Sequence, residues 1–161
     1  MLWCSVGVAA GTLVPVLLSD LSAMPLLLAS FGGSAIFLFG LTRADAAQPR
    51  ALLGGHLASA CVGVVCYQCF GEATWVYVLA EVVTLWILLF GRAVHPPAGA
   101  NPIIMIHAHA GFAALLDPVL AGVLSLMVLA MVWSRVYPGM VRYPVAWNRP
   151  SPAHPLWGGW D

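Results

Sequence analysis

Ala51-Leu52-Leu53-Gly54-Gly55-His56-Leu57-Ala58-Ser59-Ala60-Cys61-Val62-Gly63-Val64-Val65-Cys66-Tyr67-Gln68-Cys69-Phe70 is separated by only Gly71-Glu72 from a second apolar run, Ala73 to Phe90. Each run approaches the roughly 20 apolar residues that carry a helix across a hydrocarbon core. Two such runs with so short a break read as consecutive membrane crossings. Composition extends that reading to the whole chain, because 61% of the 161 residues are hydrophobic and only 7% are charged, against about a quarter in a soluble domain. The length permits a handful of crossings and leaves no room for a soluble enzyme domain. Lysine is absent and the net charge is zero, so the basic footprint that nucleic acid requires is missing. Four cysteines, Cys4, Cys61, Cys66 and Cys69, lie in or beside apolar runs and act there as small hydrophobes.

Four more apolar runs flank this pair: Leu2 to Leu18, Leu26 to Leu41, His95 to Ala110 and Leu116 to Val136. The first lacks the basic n-region and small-residue cleavage site of a secretory signal, and reads as a retained helix. Ser19-Asp20 with Pro25, the Arg43 to Arg50 segment, Arg92 with Pro96-Pro97, and Asp117-Pro118 punctuate the rest. Two runs are short and interrupted by small residues, at Ser30-Phe31-Gly32-Gly33-Ser34 and at Ala98-Gly99-Ala100-Asn101-Pro102. If all six cross, Arg43, Arg50, Arg92, Arg135, Arg142 and Arg149 share one side, while Asp20, Glu72 and Asp117 share the other. That is a positive-inside pattern, and it is lost if the two short runs re-enter.

The expected fold is therefore an all-α integral membrane domain over residues 1–136, with four long helices, two short broken segments and both termini cytoplasmic at a plasma or inner membrane. Residues 1–70 and 72–136 read as two halves in which Gly33 and Gly99 correspond. Three crossings per half make them inverted repeats, an arrangement that places binding at the midplane between broken segments. Residues 137–161, rich in Pro and Trp, read as an irregular interfacial tail.

Backbone groups freed at Gly32-Gly33 and at Pro96, Pro97 and Pro102 must be satisfied by protein or by water in a cavity. Half-helices starting after two such breaks would aim positive dipole ends at one polar pocket, which suits an anion. The alternative is that the glycines serve close helix packing. Glu81, central in its run, and His56, beside the small residues Gly55, Ser59 and Gly63, are the candidates for proton coupling, against purely structural roles. Gly7 and Gly11 form a helix-packing pair. His107-Ala108-His109 and Cys66-Tyr67-Gln68-Cys69 carry ligand-type residues, but His-x-His does not share a helical face and a lone C-x-x-C lacks a second pair. No metal or other cofactor is expected, and no nucleophile–base pair or phosphate loop points to an enzyme.

His95-Pro96-Pro97-Ala98-Gly99-Ala100 resembles the signature of the HPP family of small membrane proteins, which is named for this tripeptide. Leu28 to Ala35 is similar to the family's small-residue segment, and Ala47-Gln48-Pro49-Arg50 with Gly54-Gly55-His56-Leu57 to its other recurring stretch, in matching order. The family is described with four membrane helices, which agrees with six segments only if the two short runs are left uncounted. Asn101-Pro102 departs from the Thr and aliphatic run that usually follow the motif. Plastid and cyanobacterial members are associated with nitrite transport. The resemblance implies a secondary transporter or channel for a small anion such as nitrite, its site lined by Ser30, Gly32, Gly33, Ser34, His95, Gly99, Ala100 and Asn101. A homo-oligomer in the lipid bilayer is expected, since six segments are thin for enclosing a pathway. The rival expectation is a non-transporting accessory subunit that docks a protein partner through its C-terminal tail and its histidines and cysteines, with a metal held among the latter.

Overall fold

In the computed structural model, which describes residues 1–18, 21, 24–136 and 139–154, six α-helices carry the chain: α1 (Leu2–Leu18), α2 (Leu27–Gly40), α3 (Pro49–Phe70), α4 (Thr74–Phe90), α5 (Asn101–His107) and α6 (Ala121–Val136). Among the described residues there is no strand beyond an isolated bridge between Ala93 and Ser151. Ser19-Asp20, Pro138, and the tail's Pro155, Trp157 and Trp160 lie outside the described residues. Pro49 opens α3, where a fixed φ and a missing N–H suit the first turn. Gly71 closes it at φ 71°, a conformation glycine enters without strain. Phe112–Val136 and Pro49–Phe70 are long and apolar enough to cross a membrane unaided; α1, α2 and α4 are shorter apolar helices.

Helix packing follows from where side chains are missing. A Cβ on Gly7 or Gly11 would stand 2.7 or 2.6 Å from the Phe39 ring, and one on Gly122 would collide with Phe31. These glycines let α1 and α6 close over the aromatic face of α2. Trp3 and Trp133 stack at 4.3 Å beside them. Phe31, Leu38, Val123 and Leu126 form the centre of the core. Outward, Leu13, Val16, Ile36, Val65, Val78, Val82, Trp86, Val128 and Val132 are exposed, so the circumference presents apolar side chains as a lipid-facing surface requires.

The helix ends sort into two poles. At one, Arg50 donates to the Gly91 carbonyl and to Asn148 Oδ1 at 2.9 and 2.8 Å. Arg92 donates to the carbonyls of Pro152 and Ala153. Arg149 pairs with Asp45 at 3.4 Å, and Arg135 donates to the Tyr143 carbonyl at 3.0 Å. Arg43 and the start of α1 share surface clefts with Met140. At the opposite pole Glu72 meets His107 and His109, and Met24, Pro25 and Leu26 line a cleft with His107 and Ala108. Both short segments therefore run from one pole to the other, and neither returns to the end where it began.

Two expectations need correction. The second run is not broken, because α2 continues through Gly32-Gly33 for 14 residues. Glycine inside a helix costs only about 1 kcal/mol relative to alanine, and Gly33 has a packing reason: its Cβ would lie 3.0 Å from the Pro97 ring. The fifth run is broken as expected, but at Pro96–Ala100, a 3-10 turn, after which α5 is only seven residues long. The described part of the tail, 139–154, is irregular yet is tied to the arginine pole. Buried Gln48 accepts there from the Val145 and Ala146 N–H groups at 2.9 and 3.2 Å, and Val94 N–H donates to the Ser151 carbonyl at 2.8 Å.

These contacts separate two glycines that look alike in sequence. A Cβ on Gly63 would lie 2.7 Å from the Pro102 backbone, which cannot yield, whereas one on Gly32 meets nothing within 4 Å. Gly63→Ala should destabilise the protein by about 1–3 kcal/mol, while Gly32→Ala should be neutral or stabilising by up to about 1 kcal/mol. Thermal unfolding in detergent distinguishes them, and equal losses at both sites would contradict a continuous α2.

Candidate functional site

Ser30 and Ser34 sit one turn apart on α2, so their hydroxyls share a helical face. That face meets the start of α3 and the His95–Ala100 turn. Gly55 admits the turn, since a Cβ there would lie 2.9 Å from the His95 Cβ. Within the turn the Ala98 N–H donates to the His95 carbonyl at 2.9 Å, and Ser30 Oγ donates to the Pro97 carbonyl at 2.9 Å. Ser34 lies deeper, where its Oγ is 2.8 Å from His56 Nε2 and 2.8 Å from His95 Nε2. Asn101, at the head of α5, places Nδ2 3.0 Å from His56 Nδ1 and 3.2 Å from the His56 carbonyl. His95 Nδ1 is 2.6 Å from the Ala46 carbonyl. Ser34, His56, His95 and Asn101 are each wholly buried.

Donor and acceptor rules fix the polarity of this chain. A carbonyl only accepts, so His95 carries its hydrogen on Nδ1, and in the neutral ring Nε2 is a lone pair. The single Ser34 hydroxyl hydrogen has two acceptors in reach, that lone pair at 2.8 Å and the Ser30 carbonyl at 2.9 Å, and the Ser34 oxygen accepts from His56 Nε2–H. His56 Nδ1 is then the acceptor of an Asn101 Nδ2 hydrogen, while the other Nδ2 hydrogen goes to the His56 carbonyl. Asn101 Oδ1 is left over, buried and without a hydrogen-bond partner. An unpaired buried acceptor costs about 1–3 kcal/mol. Polar groups on three segments thus form one directed hydrogen-bonded chain from the arginine-pole loop toward mid-depth.

Of the residues expected to line a site, Ser30, Ser34, His95 and Asn101 come together, and the coupling candidate His56 joins them. Gly33 supports them by packing on Pro97, whereas a Cβ on Gly32 or Gly99 would meet nothing. Ala100 packs at the edge of the apolar core. The expected arrangement of two half-helix N-termini around an open pocket is not found, because α2 has no internal end and the polar groups satisfy one another. Glu81 stands apart on α4: its Oε1 is buried without a partner, and no hydrogen bond joins it to the chain. The Ala46 carbonyl was invisible in the sequence, since any residue type supplies one.

His107 and His109 belong to a second cluster at the far pole. Glu72 accepts from Tyr77 OH at 2.5 Å and lies 2.7 Å from His109 Nε2 and 3.6 Å from His107 Nδ1. Tyr67 stacks on His109 at 5.0 Å. The hydrogen bonds from Tyr77 and then His109 hold the Glu72 carboxyl down at about 2. The cluster joins the α3–α4 turn to the end of α5. Among the described residues no group of three or more His, Cys, Asp or Glu side chains is arranged to hold a metal ion.

Residues 1–144 match the family described as HPP, transmembrane region. Two transmembrane proteins of Dictyostelium discoideum are each 33% identical to the chain, over 132 and 129 residues. The alignments cover 77% and 75% of this chain but 46% and 41% of theirs, so it spans less than half the length of these relatives. No solved structure matches.

Ser34→Ala removes the shared partner of two buried ring nitrogens, each costing about 1–3 kcal/mol when unsatisfied. The expected result is a lower thermal midpoint, and an unchanged midpoint would mean the rings do not depend on Ser34. At the other pole the depressed Glu72 carboxyl contributes stability above its ordinary value of 4.5, and that contribution is lost as pH falls toward about 2. Glu72→Gln should therefore flatten the acid limb of stability, a modest effect at an exposed group, read by comparing melting at about pH 6 and about pH 3.

Proposed function

This chain belongs to the HPP family of transmembrane proteins, and we propose that it moves a small anion, such as nitrite, across the membrane through the Ser34–His56–His95–Asn101 cluster. The observation that carries this reading is the cluster itself: four fully buried polar side chains from α2, α3 and the α5 segment meet inside an apolar bundle. Intramembrane polar and ionisable groups are costly and mark substrate pathways. Ser30, Ser34, Asn101 and the two imidazoles supply the N–H and O–H donors that a small oxyanion needs once they open toward it, with Gly33 and the HPP turn forming the adjoining wall. Gly32, Gly99 and Ala100 flank this wall.

The arrangement of helices supports a two-fold, inverted-repeat transporter with six crossings. Every principal helix contact has a counterpart in the other half: α1 packs on α2 as α4 packs on α5, α1 on α6 as α4 on α3, and α2 on α6 as α5 on α3. Both short segments lie centrally, as binding at the midplane requires. The pole that gathers Arg43, Arg50, Arg92, Arg135 and Arg149 is the cytoplasmic one by the positive-inside rule, with both termini on that side. Residues 1–136 act as the transport domain, and protomers associate through their apolar flanks.

Uptake of nitrite into proteoliposomes tests this directly. Purified chain should raise uptake well above empty vesicles, and Asn101→Leu should reduce it at least tenfold. Uptake no faster than in empty vesicles would refute anion transport.

A further inference from the structure

We propose, building on the anion-transport reading, that the cluster binds its anion only together with one proton shared by His56 and His95, so that a monovalent anion crosses in electroneutral symport with H⁺. In the neutral chain every donor is occupied. Asn101 spends both Nδ2 hydrogens on His56, His56 Nε2–H goes to Ser34, the one Ser34 hydrogen is shared between His95 and the Ser30 carbonyl, and His95 Nδ1–H goes to Ala46. Ser30 is committed to Pro97 and Ser59 to Gly55. Of the buried side-chain atoms in this cluster, the one left unsatisfied is an acceptor, Asn101 Oδ1. An anion entering this state would meet an oxygen lone pair and no free hydrogen, so the neutral cluster excludes it.

One added proton reverses that. On His56 Nδ1, it obliges Asn101 to turn its amide so that Oδ1 accepts from the ring, and both Nδ2 hydrogens become free donors where the lone pair had been. On His95 Nε2, it displaces the Ser34 hydrogen, which has an alternative acceptor in the Ser30 carbonyl at 2.9 Å. Because both rings are 2.8 Å from one hydroxyl, the proton passes between them through Ser34. The cluster gains a positive charge and outward donors together.

Among the described residues no carboxylate bonds to either ring to neutralise that charge. The rings facing the pair are Phe31 and Phe37, and each histidine is the other's titratable neighbour, at 5.2 Å between centroids. Asp45, in the loop that supplies Ala46, pairs with Arg149. Arg50, in the first turn of α3, is bound to Asn148 and Gly91. Glu81 on α4 makes no hydrogen bond to either ring. A buried charge without a counter-ion is strongly disfavoured, so the anion supplies the counter-charge: neither proton nor anion enters at low cost alone. The proton is taken up with the anion on one side and released with it on the other.

Two measurements on the full chain separate this inference from the transport reading. Proteoliposomes carrying a lumenal pH dye and an imposed pH gradient should show one proton moved per nitrite, after subtraction of empty vesicles, and no dependence on membrane potential. Histidine ¹⁵N NMR in lipid nanodiscs should show the pair taking up one proton at a midpoint that rises by about one pH unit per tenfold nitrite above saturation. His95→Gln should abolish both signals, and the two wild-type readouts decide the matter even if that variant does not fold. Flux driven by potential instead of the pH gradient, or a midpoint that nitrite leaves unmoved, overturns the linkage and leaves transport standing. A nitrite-shifted midpoint without flux overturns transport and leaves the linkage. Loss of proton movement in Glu81→Gln with its retention in His95→Gln would assign coupling to Glu81 and overturn the proposal.

Discussion

The bond between His95 Nδ1 and the Ala46 carbonyl anchors the buried Ser34–His56–His95–Asn101 chain. A main-chain carbonyl cannot donate, so the hydrogen must sit on Nδ1 and the lone pair on Nε2 faces Ser34, while the Asn101 Nδ2 donor makes His56 Nδ1 an acceptor and leaves its hydrogen on Nε2, toward Ser34. In an apolar interior the alternative to such a chain is a set of unsatisfied groups, each costing more than the net worth of an ordinary hydrogen bond. Cooperation among the members adds to this, since the low local dielectric strengthens satisfied chains and penalises broken ones. The network therefore acts as a lock between α2, α3 and the HPP turn.

Backbone proximity makes the lock possible. Gly55 admits His95, Gly33 admits Pro97, and Gly63 admits the Pro102 backbone, so the irregular turn sinks against two helices. Within a bilayer, helix association draws on close van der Waals contact more than on hydrophobic burial, and small residues let backbones approach. Proline and glycine have complementary tasks here. The prolines at 96, 97 and 102 shape a segment that cannot be a plain helix, and the facing glycines leave room for it. Non-helical backbone at this depth is tolerated because protein surrounds it and Ser30 accepts the task of satisfying Pro97.

The two poles divide the remaining polar chemistry. At one, arginines, Gln48 and the 139–154 segment hold the loops together through main-chain acceptors. At the other, Glu72 gathers Tyr77, His107 and His109 across the α3–α4 turn and the end of α5. His-x-His spacing cannot place both rings on one helical face, yet here both reach one carboxylate. The helix ends at His107, and the chain beyond it turns, with His109 in a left-handed conformation at φ 51°. That turn was not legible from periodicity, because the apolar pattern continues to Ala110.

Sequence by itself determined that this chain lives in lipid, that it is helical, and where its segments divide, because composition and run length answer to the bilayer and not to any particular neighbour. It also marked Ser30, Ser34, His56, His95 and Asn101, since polar side chains in apolar runs are conspicuous wherever they end up. Tertiary structure decided the rest. Gly32-Gly33 reads as a break in isolation and proves to be a helix with a proline packed against one glycine, because the space beside a missing side chain depends on a partner more than sixty residues away. Likewise Glu81 looked equal to His56 along the chain. Only the crossing of α2, α3 and the HPP turn, with a carbonyl from Ala46 to polarise it, put one inside a hydrogen-bonded chain and left the other outside.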